Sequence, residues 1–367
     1  MKLIRASVYS QYQTFVNGPY RCRNQSEAGF DSTLVKLETD LGLTGWGEMA
    51  PLGSFYSAAF ATGARAGLEI LLPQLIGRDP TQISDINRQM DRCLNGHPYI
   101  KTAVDMACWD LLGKRCGLSL AELLGGRFTD STPLYRSVSQ DSPEIMSQQA
   151  RQYQSKGYRN IQVKVGADPL LDAERMRAVR KACGPDVLMI ADANGAWHTG
   201  DAVKFVKAMG DVSYFLEQPC MSLEECASIR RQCRQPMILD ESIESLQALE
   251  QGIQAGISGI TIKLSRVGGI TAARQIRDLA IAHRLKICIE DTGGSDIDSA
   301  ATTHLMVSIP AEFQMHSVDF MNWVIEKNAR GMPPVSDGRI HAPTGNGLGL
   351  EAIEANLGEP LFCIEHS

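Results

Sequence analysis

Six ionisable residues recur through the second half of the sequence at nearly even intervals. Lys164, Asp192, Glu217, Asp240, Lys263 and Glu290 are separated by 28, 25, 23, 23 and 27 residues. Each ends or interrupts a short apolar run. Three carboxylates drawn together (Asp192, Glu217, Asp240) repel one another, and each is driven toward its neutral form unless a cation relieves the charge. Mg2+ suits such a set, because it takes oxygen ligands in an octahedron and keeps positions open for water or substrate. One acid at the end of an apolar run reads as a helix cap or a surface charge; three on consecutive runs read as metal ligands. Lys164 (Gln162-Val163-Lys164-Val165) and Lys263 (Thr261-Ile262-Lys263-Leu264) flank the triad and break β-branched runs. A lysine there is costly to bury without a partner or a task. Lysines salt-bridged to the acids are one reading. The other is a pair of bases, their pKa values lowered by a nearby divalent cation and by each other. A metal-held carboxylate with a base on each side of its α-carbon suits α-proton abstraction, the cation stabilising the charge that develops on the carboxylate.

These groups need a scaffold that brings them to one opening. From about residue 132, short apolar runs alternate with amphipathic stretches. The runs are Leu134–Val138, Ile161–Val165, Val187–Ala191, Tyr214–Leu216, Met237–Leu239, Ile260–Leu264, Lys286–Ile289 and Phe313–Met315. Helix-like segments such as 169–183, 200–209, 222–233, 244–254 and 268–283 lie between them. Strand–helix alternation implies parallel strands with right-handed crossovers. Eight alternations at a repeat of about 25 residues predict a (β/α)8-type barrel, whose chemistry lies at the C-terminal strand ends. An open doubly wound sheet is the alternative, but the first run ends Ser137-Val138-Ser139 and lacks the Gly-rich phosphate loop that fold would carry.

The first 130 residues read differently. An alternating strand opens the chain (Leu3, Arg5, Ser7 against Ile4, Ala6, Val8). Ser32–Thr39 and Thr44–Glu48 form a second and third strand around a turn at Asp40-Leu41-Gly42. From about 57 to 125 the pattern is helical, with Ile100, Ala103, Val104, Ala107, Leu111 and Leu112 on one face. The division predicted is an α+β cap over 1–130, a barrel over 131–325, and a Gly-rich segment over 326–367 that returns to the cap.

Composition narrows the function class. With 44% hydrophobic and 21% charged residues the chain can build a large core. Its net charge of −6 argues against nucleic acid or an anionic membrane surface as partner. No apolar stretch reaches the ~18 residues a membrane span needs, and the N-terminus is a strand rather than a targeting signal. The ten cysteines contain no CxxC pair, and several sit in apolar runs, as reduced thiols of a cytoplasmic protein do.

Motifs along the whole chain resemble the enolase superfamily, in its mandelate racemase and muconate-lactonizing-enzyme-like branch. They are Gly45-Trp46-Gly47-Glu48, Ala107-Cys108-Trp109-Asp110-Leu111, Leu123-Leu124-Gly125-Gly126, Lys164-Val165-Gly166, Asp192-Ala193-Asn194, Glu217-Gln218-Pro219, Asp240-Glu241-Ser242, Lys263 through Gly269, and Gly347-Leu348-Gly349. The resemblance implies a cap closing over the barrel, one Mg2+ on Asp192, Glu217 and Asp240, Lys164 and Lys263 as the base pair, and a homo-oligomer. The family usually has a lysine two positions before the strand-two base; here Gln162 stands there, so less positive charge bears on Lys164.

The family implies racemisation or epimerisation, dehydration, or cycloisomerisation, with substrate choice set by capping loops and late strand ends. Those are about 14–24 (Phe15, Tyr20), 51–57 (Phe55, Tyr56), Glu290–Ser295 and His316–Trp323. Local text (Asn95–Tyr99, Glu217–Cys220, Asp291–Ile297) is similar to members that dehydrate cis-3-hydroxy-L-proline and to those that epimerise hydroxyproline betaine. Expected contacts to a small amino-acid substrate are Gln162, Asn194 and Thr292; Glu290, Asp291 and Asp319 toward an ammonium; and Tyr56 and Trp323 against a cationic ring. Asp291 as a helix cap and Tyr56 and Trp323 as packing residues remain the structural alternatives. In cis-3-hydroxy-L-proline the hydroxyl lies on the face opposite the α-hydrogen, so two lysines suit anti elimination as well as two-base epimerisation. The polar text at Gln314–Ser317 and Glu290-Asp291 favours a substrate that can donate hydrogen bonds. By family analogy an S-configured α-carbon presents its proton to Lys164. A non-enzymatic barrel would be expected to have lost a ligand or a base, and all five are present.

Overall fold

The computed structural model describes residues 1–22 and 25–365. Residues 23 and 24, at the end of the first capping loop, lie outside the described residues.

Three antiparallel strands open the chain: β1 (Leu3–Thr14), β2 (Gly29–Thr39) and β3 (Thr44–Met49). The β1–β2 register runs from Arg5↔Glu38 to Thr14↔Gly29, with an irregularity between Leu3 and Arg5. That slip turns Ile4 outward while Ala6 and Val8 face the core, so the alternation expected through Ile4 holds only past the bulge. Helices α1 (Ala61–Leu71), α2 (Ile83–Cys93) and α3 (Pro98–Cys116) follow. α3 is buried on nearly every side rather than on one face, because it lies between the cap sheet and the barrel. Two glycines permit that fit. A Cβ at Gly47 would stand 1.8 Å from the Ala103 carbonyl oxygen, and one at Gly45 would stand 2.3 Å from that of Ala107.

The barrel strands are β4 (Tyr135–Val138), β5 (Asn160–Lys164), β6 (Leu188–Asp192), β7 (Phe215–Glu217), β8 (Met237–Leu239), β9 (Gly259–Lys263), β10 (Lys286–Glu290) and β11 (Gln314–Ser317). Each pairs in parallel with the next. A parallel bridge between Leu134 and Ser317 closes the ring. The outer helices are α4 (Pro143–Ser155), α5 (Pro169–Cys183), α6 (Thr199–Met209), α7 (Leu223–Arg230), α8 (Leu246–Gln254), α9 (Ile270–Ala282) and α10 (Asp296–Val307). Several begin on side-chain caps, as at Asp168, whose carboxylate accepts the Leu170 and Leu171 amides at 3.0 and 2.9 Å. Ile190, Ile238, Cys288 and Met315 fill the barrel interior.

Eight strand–helix alternations were expected, and the last differs. β11 leads into a 3-10 turn at Phe320–Asn322, so seven long helices surround the eight strands among the described residues. The chain is instead drawn to the cap, where Val324 bridges Phe15, and Gly331, Pro333 and Pro334 allow no helix beyond. The tail ends in β12 (Phe362–Glu365), antiparallel to β1 from Arg5↔Glu365 to Val8↔Phe362. The cap sheet order is therefore β12-β1-β2-β3. No helix of the described residues is long and apolar enough to cross a membrane. The nine cysteines with described side chains are all free thiols; that of Cys22 lies outside the described part.

Candidate active site

Parallel pairing fixes where the ionisable residues meet. Lys164 is the register partner of Asp192, Asp192 of Glu217, and Lys263 of Glu290. Asp240 follows directly on β8. All six stand at one end of the barrel, none more than 8% exposed.

Every acid in the ring has an opposite charge or a polar hydrogen against it. The Lys164 ammonium donates to Asp192 Oδ2 at 2.5 Å and to Asn194 Oδ1 at 3.1 Å. Asn194, in left-handed backbone at φ +48°, returns its amide N–H to Asp192 Oδ1 at 2.9 Å. Glu217 accepts from Gln162 Nε2 at 2.9 Å and Thr261 Oγ1 at 2.8 Å. Asp240 faces Lys263 at 3.0 Å, Arg266 at 2.5 Å and the Tyr56 hydroxyl at 3.1 Å. Glu290 accepts from His316 Nε2 at 3.0 Å and from the Tyr135 hydroxyl at 3.4 Å, with Lys263 at 3.7 Å.

The electrostatics follow from this arrangement. Burial, then the charges of Asp192, Asp240 and Glu290, push the Glu217 carboxyl well above its usual range. Burial also works to raise Asp240, but Arg266 and Lys263 outweigh it and hold that carboxyl below its usual value. Burial would lower Lys263, yet Asp240, Tyr56 and Glu290 raise it well above the ordinary lysine range. Lys263 is thus held as an ammonium by the carboxylates around it.

Asp192, Glu217 and Asp240 are the residues expected from the sequence to hold a divalent cation. Among the described residues no three His, Cys, Asp or Glu side chains converge as one metal cluster, since each carboxylate turns to its own lysine, arginine or amide. The chemistry of the donor set nonetheless fits a hard cation. Three buried carboxylates stand on consecutive strands, and burial, then the charges of the other two, push the middle one toward protonation. A cation bound among them would relieve that repulsion.

The cavity between the lysines is small, about 30 Å3, and is lined by Lys164, Lys263, Glu290, Asp291 and Thr292 below an aromatic wall. Phe15, Tyr20, Tyr56, Tyr135 and Trp323 form that wall, with Tyr20 and Tyr135 at ring-centroid distances of 5.8 and 6.5 Å from Trp323. Larger cavities of about 620 and 950 Å3 flank it. Neither reaches Lys164 or Lys263, so size does not mark the site.

Of the expected substrate contacts, Tyr56, Glu290, Asp291, Thr292 and Trp323 line this cavity, and Gln162 and Asn194 touch its carboxylate rim. Asp291 is not the cap of the following helix that was its alternative: Ser295 caps that helix, and Asp291 instead accepts the Ser265 and Thr292 amides at 3.0 and 2.7 Å. Asp319 is not brought to the cavity. Arg136 takes both its oxygens, at 2.8 and 3.0 Å, and Asn322 donates at 2.8 Å, because a buried guanidinium needs a counter-charge. Sequence reasoning missed Tyr135 and Arg266. Tyr135 lies inside the first apolar run, where only strand ends were searched. Arg266 falls three residues after Lys263, and that spacing was the available signal.

The chain is similar to known proteins along nearly its whole length. Residues 12–125 match the mandelate racemase / muconate lactonizing enzyme N-terminal domain, and residues 145–356 match the enolase C-terminal domain-like family. A cis-3-hydroxy-L-proline dehydratase from Roseibium aggregatum is 43% identical over 98% of this chain and 99% of its own. An N-succinyl-L-Arg/Lys racemase from Bacillus cereus is 29% identical over 78% of each. A mandelate racemase/muconate lactonizing enzyme structure from Roseovarius nubinhibens, in complex with magnesium, superposes with a TM-score of 0.94 at 33% identity over the full length of both chains. The chain belongs to the mandelate racemase and muconate lactonizing enzyme branch of the enolase superfamily.

Proposed function

We propose that the protein is a Mg2+-dependent hydro-lyase that removes water from cis-3-hydroxy-L-proline, giving 1-pyrroline-2-carboxylate. The observation that carries this reading is the pair of buried lysines facing one small cavity across a ring of carboxylates. The 43% identity to a dehydratase of that substrate supports the same choice.

The chain's own residues divide the work. Lys164, on the second barrel strand, takes the α-proton as the neutral amine, having first given up the proton it shares with Asp192. Lys263, an ammonium between Asp240 and Glu290, gives a proton to the 3-hydroxyl, which leaves as water from the opposite ring face. The C–H electron pair becomes the C2–C3 double bond, and the enamine released tautomerises to the cyclic imine. Glu290, oriented by His316 and Tyr135, and Thr292 hold the ring ammonium. Phe15, Tyr20 and Trp323 close the site against water. Asp192, Glu217 and Asp240 would hold Mg2+, whose charge makes the α-proton more acidic by favouring negative charge on the substrate carboxylate.

Two-base epimerisation of a hydroxyproline betaine is the second reading, favoured by the aromatic wall, which can pack on a quaternary ammonium. Such a cation cannot donate to Glu290, so dehydration is preferred. Incubation with Mg2+ and each compound in deuterated water separates them: dehydration yields the pyrroline, epimerisation an α-deuterated epimer. Neither product nor α-deuterium from either compound would sink the substrate class.

The same reading places the enzyme in the cytoplasm, where its thiols stay reduced, and takes it as a homo-oligomer on family grounds. The division proposed is a cap over 1–130, a barrel over 131–325 and a tail over 326–367 that completes the cap sheet.

A further inference from the structure

Glu48 ends the Gly45-Trp46-Gly47-Glu48 motif, outside the lining of the cavity, and it is fully buried. Its two oxygens serve different parts of the molecule. Oε1 accepts from Gln13 Nε2 at 2.6 Å and Ser32 Oγ at 2.9 Å, both in the cap sheet. Oε2 accepts the Ser295 and Asp298 backbone N–H groups at 3.1 Å each. Those two amides begin α10, the helix after the seventh barrel strand. A cap-domain carboxylate therefore supplies the N-terminal cap of a barrel helix, at the end where an anion is favoured.

The chain on either side of this contact carries active-site residues. Two positions after Glu48, the Ala50 carbonyl accepts from Thr292 Oγ1 at 2.9 Å. Beyond it the loop delivers Tyr56, whose hydroxyl bonds Lys263 and Asp240. On the barrel side, the segment from Glu290 to Ser295 is fixed at its far end by the Ser295 amide. Both walls of the cavity thus hang from one carboxylate.

We propose that Glu48 is a positioning residue for the reaction: it locks the Ala50–Tyr56 loop to the Glu290–Ser295 loop, so that Tyr56 meets Lys263 and Thr292 faces the substrate. This rests on the proposed dehydratase reading. Lys164 stands on β5 and does not depend on this lock, so loss of Glu48 acts on water elimination more than on α-proton removal.

The test compares Glu48→Gln with the parent enzyme. An amide turns an N–H2 group toward either the cap donors or the helix donors, so one side of the lock fails. Elimination from cis-3-hydroxy-L-proline is expected to fall at least tenfold. α-Deuterium exchange into L-proline, which has no hydroxyl to lose, is expected to stay within about threefold. A merely structural role lowers both together through the folded fraction. Ser32→Ala, which removes a cap-sheet donor to Glu48 Oε1, should shift the ratio in the same direction, and this variant carries the test if Glu48→Gln does not fold. Amide hydrogen exchange at Ser295 and Asp298, measured without substrate, should quicken in Glu48→Gln, and this readout stands even if the substrate class is wrong. An unchanged elimination-to-exchange ratio in both Glu48→Gln and Ser32→Ala, or unchanged protection at both amides, overturns the proposal.

Discussion

Lys164 and Asp192 are register partners on adjacent parallel strands, and the ammonium of one lies against the carboxylate of the other. The group proposed as base and a residue proposed to hold the cation are thus in direct contact. Lys263 repeats the arrangement with Asp240 at 3.0 Å. The site has two lysine–carboxylate pairs with Glu217 between them, and this near-symmetry serves either elimination or epimerisation. The two pairs differ in their surroundings: Arg266 and Tyr56 lie against the second.

That difference predicts separable roles for the lysines. Lys164→Ala should abolish both water elimination and α-deuterium exchange into L-proline. Lys263→Ala should lose elimination by about 10²–10⁴-fold, the usual worth of a general acid, while exchange into L-proline persists. Mass spectrometry of L-proline in deuterated water reads the exchange, and pyrroline formation reads the elimination. Full activity in a variant lacking both lysines would end the mechanism.

Metal removal should have an effect beyond lost turnover. Glu217 is driven toward protonation by burial and then by Asp192 and Asp240, so relief of the repulsive part by a bound cation should stabilise the fold as well. Treatment with EDTA is expected to stop both exchange and elimination and to lower the thermal midpoint, and added Mg2+ to restore all three. A thermal midpoint indifferent to Mg2+ across millimolar concentrations would argue against the carboxylate triad as the cation's site.

Much of this site could be read from sequence because parallel strands buried on both faces are continuous apolar runs, and the polar residue ending each run stands out. Lys164, Asp192, Glu217, Asp240, Lys263 and Glu290 were found that way. The same logic fails where a partner is distant and a side chain is long. Arg136 and Asp319 lie 183 positions apart, and no spacing rule announces that they pair. The absent eighth helix was illegible for a similar reason. The segment after β11 takes its shape from the bridge between Val324 and Phe15, a contact across nearly the whole chain.

The Gly-Trp-Gly-Glu motif is conspicuous in sequence, but its first role is steric. A methyl group at Gly47 would sit 1.8 Å from the Ala103 carbonyl oxygen, a backbone atom that cannot swing away. Gly47→Ala should therefore cost at least about 3 kcal/mol, the upper end of overpacking costs, seen as a lowered thermal midpoint or loss of soluble protein. Gly200→Ala is the control. It stands in α6 with no atom within 4 Å of its added Cβ, and should be neutral or stabilising by up to about 1 kcal/mol. Equal effects at the two positions would refute the close-approach explanation.

His304 gives the pH dependence of stability a definite sign. It lies fully buried in α10, its Nδ1 accepting the Ala121 amide at 3.3 Å, which leaves Nε2–H to donate to the Leu348 carbonyl at 3.1 Å. The Ala121 contact requires the neutral ring, whereas the Leu348 contact is made by either form. Burial, aided by Arg127 and opposed by the Leu348 bond and Glu122, lowers its pKa from 6.5 to about 4. Between those values the unfolded chain binds the proton and the folded one does not, so stability falls as pH drops through that window and levels off below about 4. The full loss is about 3 kcal/mol. His304→Gln keeps an acceptor for Ala121 and a donor for Leu348 but cannot titrate. Denaturation midpoints of the two proteins should run parallel above pH 7 and diverge below 6.5, the parent losing more, while carboxylates common to both cancel in the difference. Curves that remain parallel down to pH 4 would show that His304 is protonated in the folded protein or contributes nothing to its acid sensitivity.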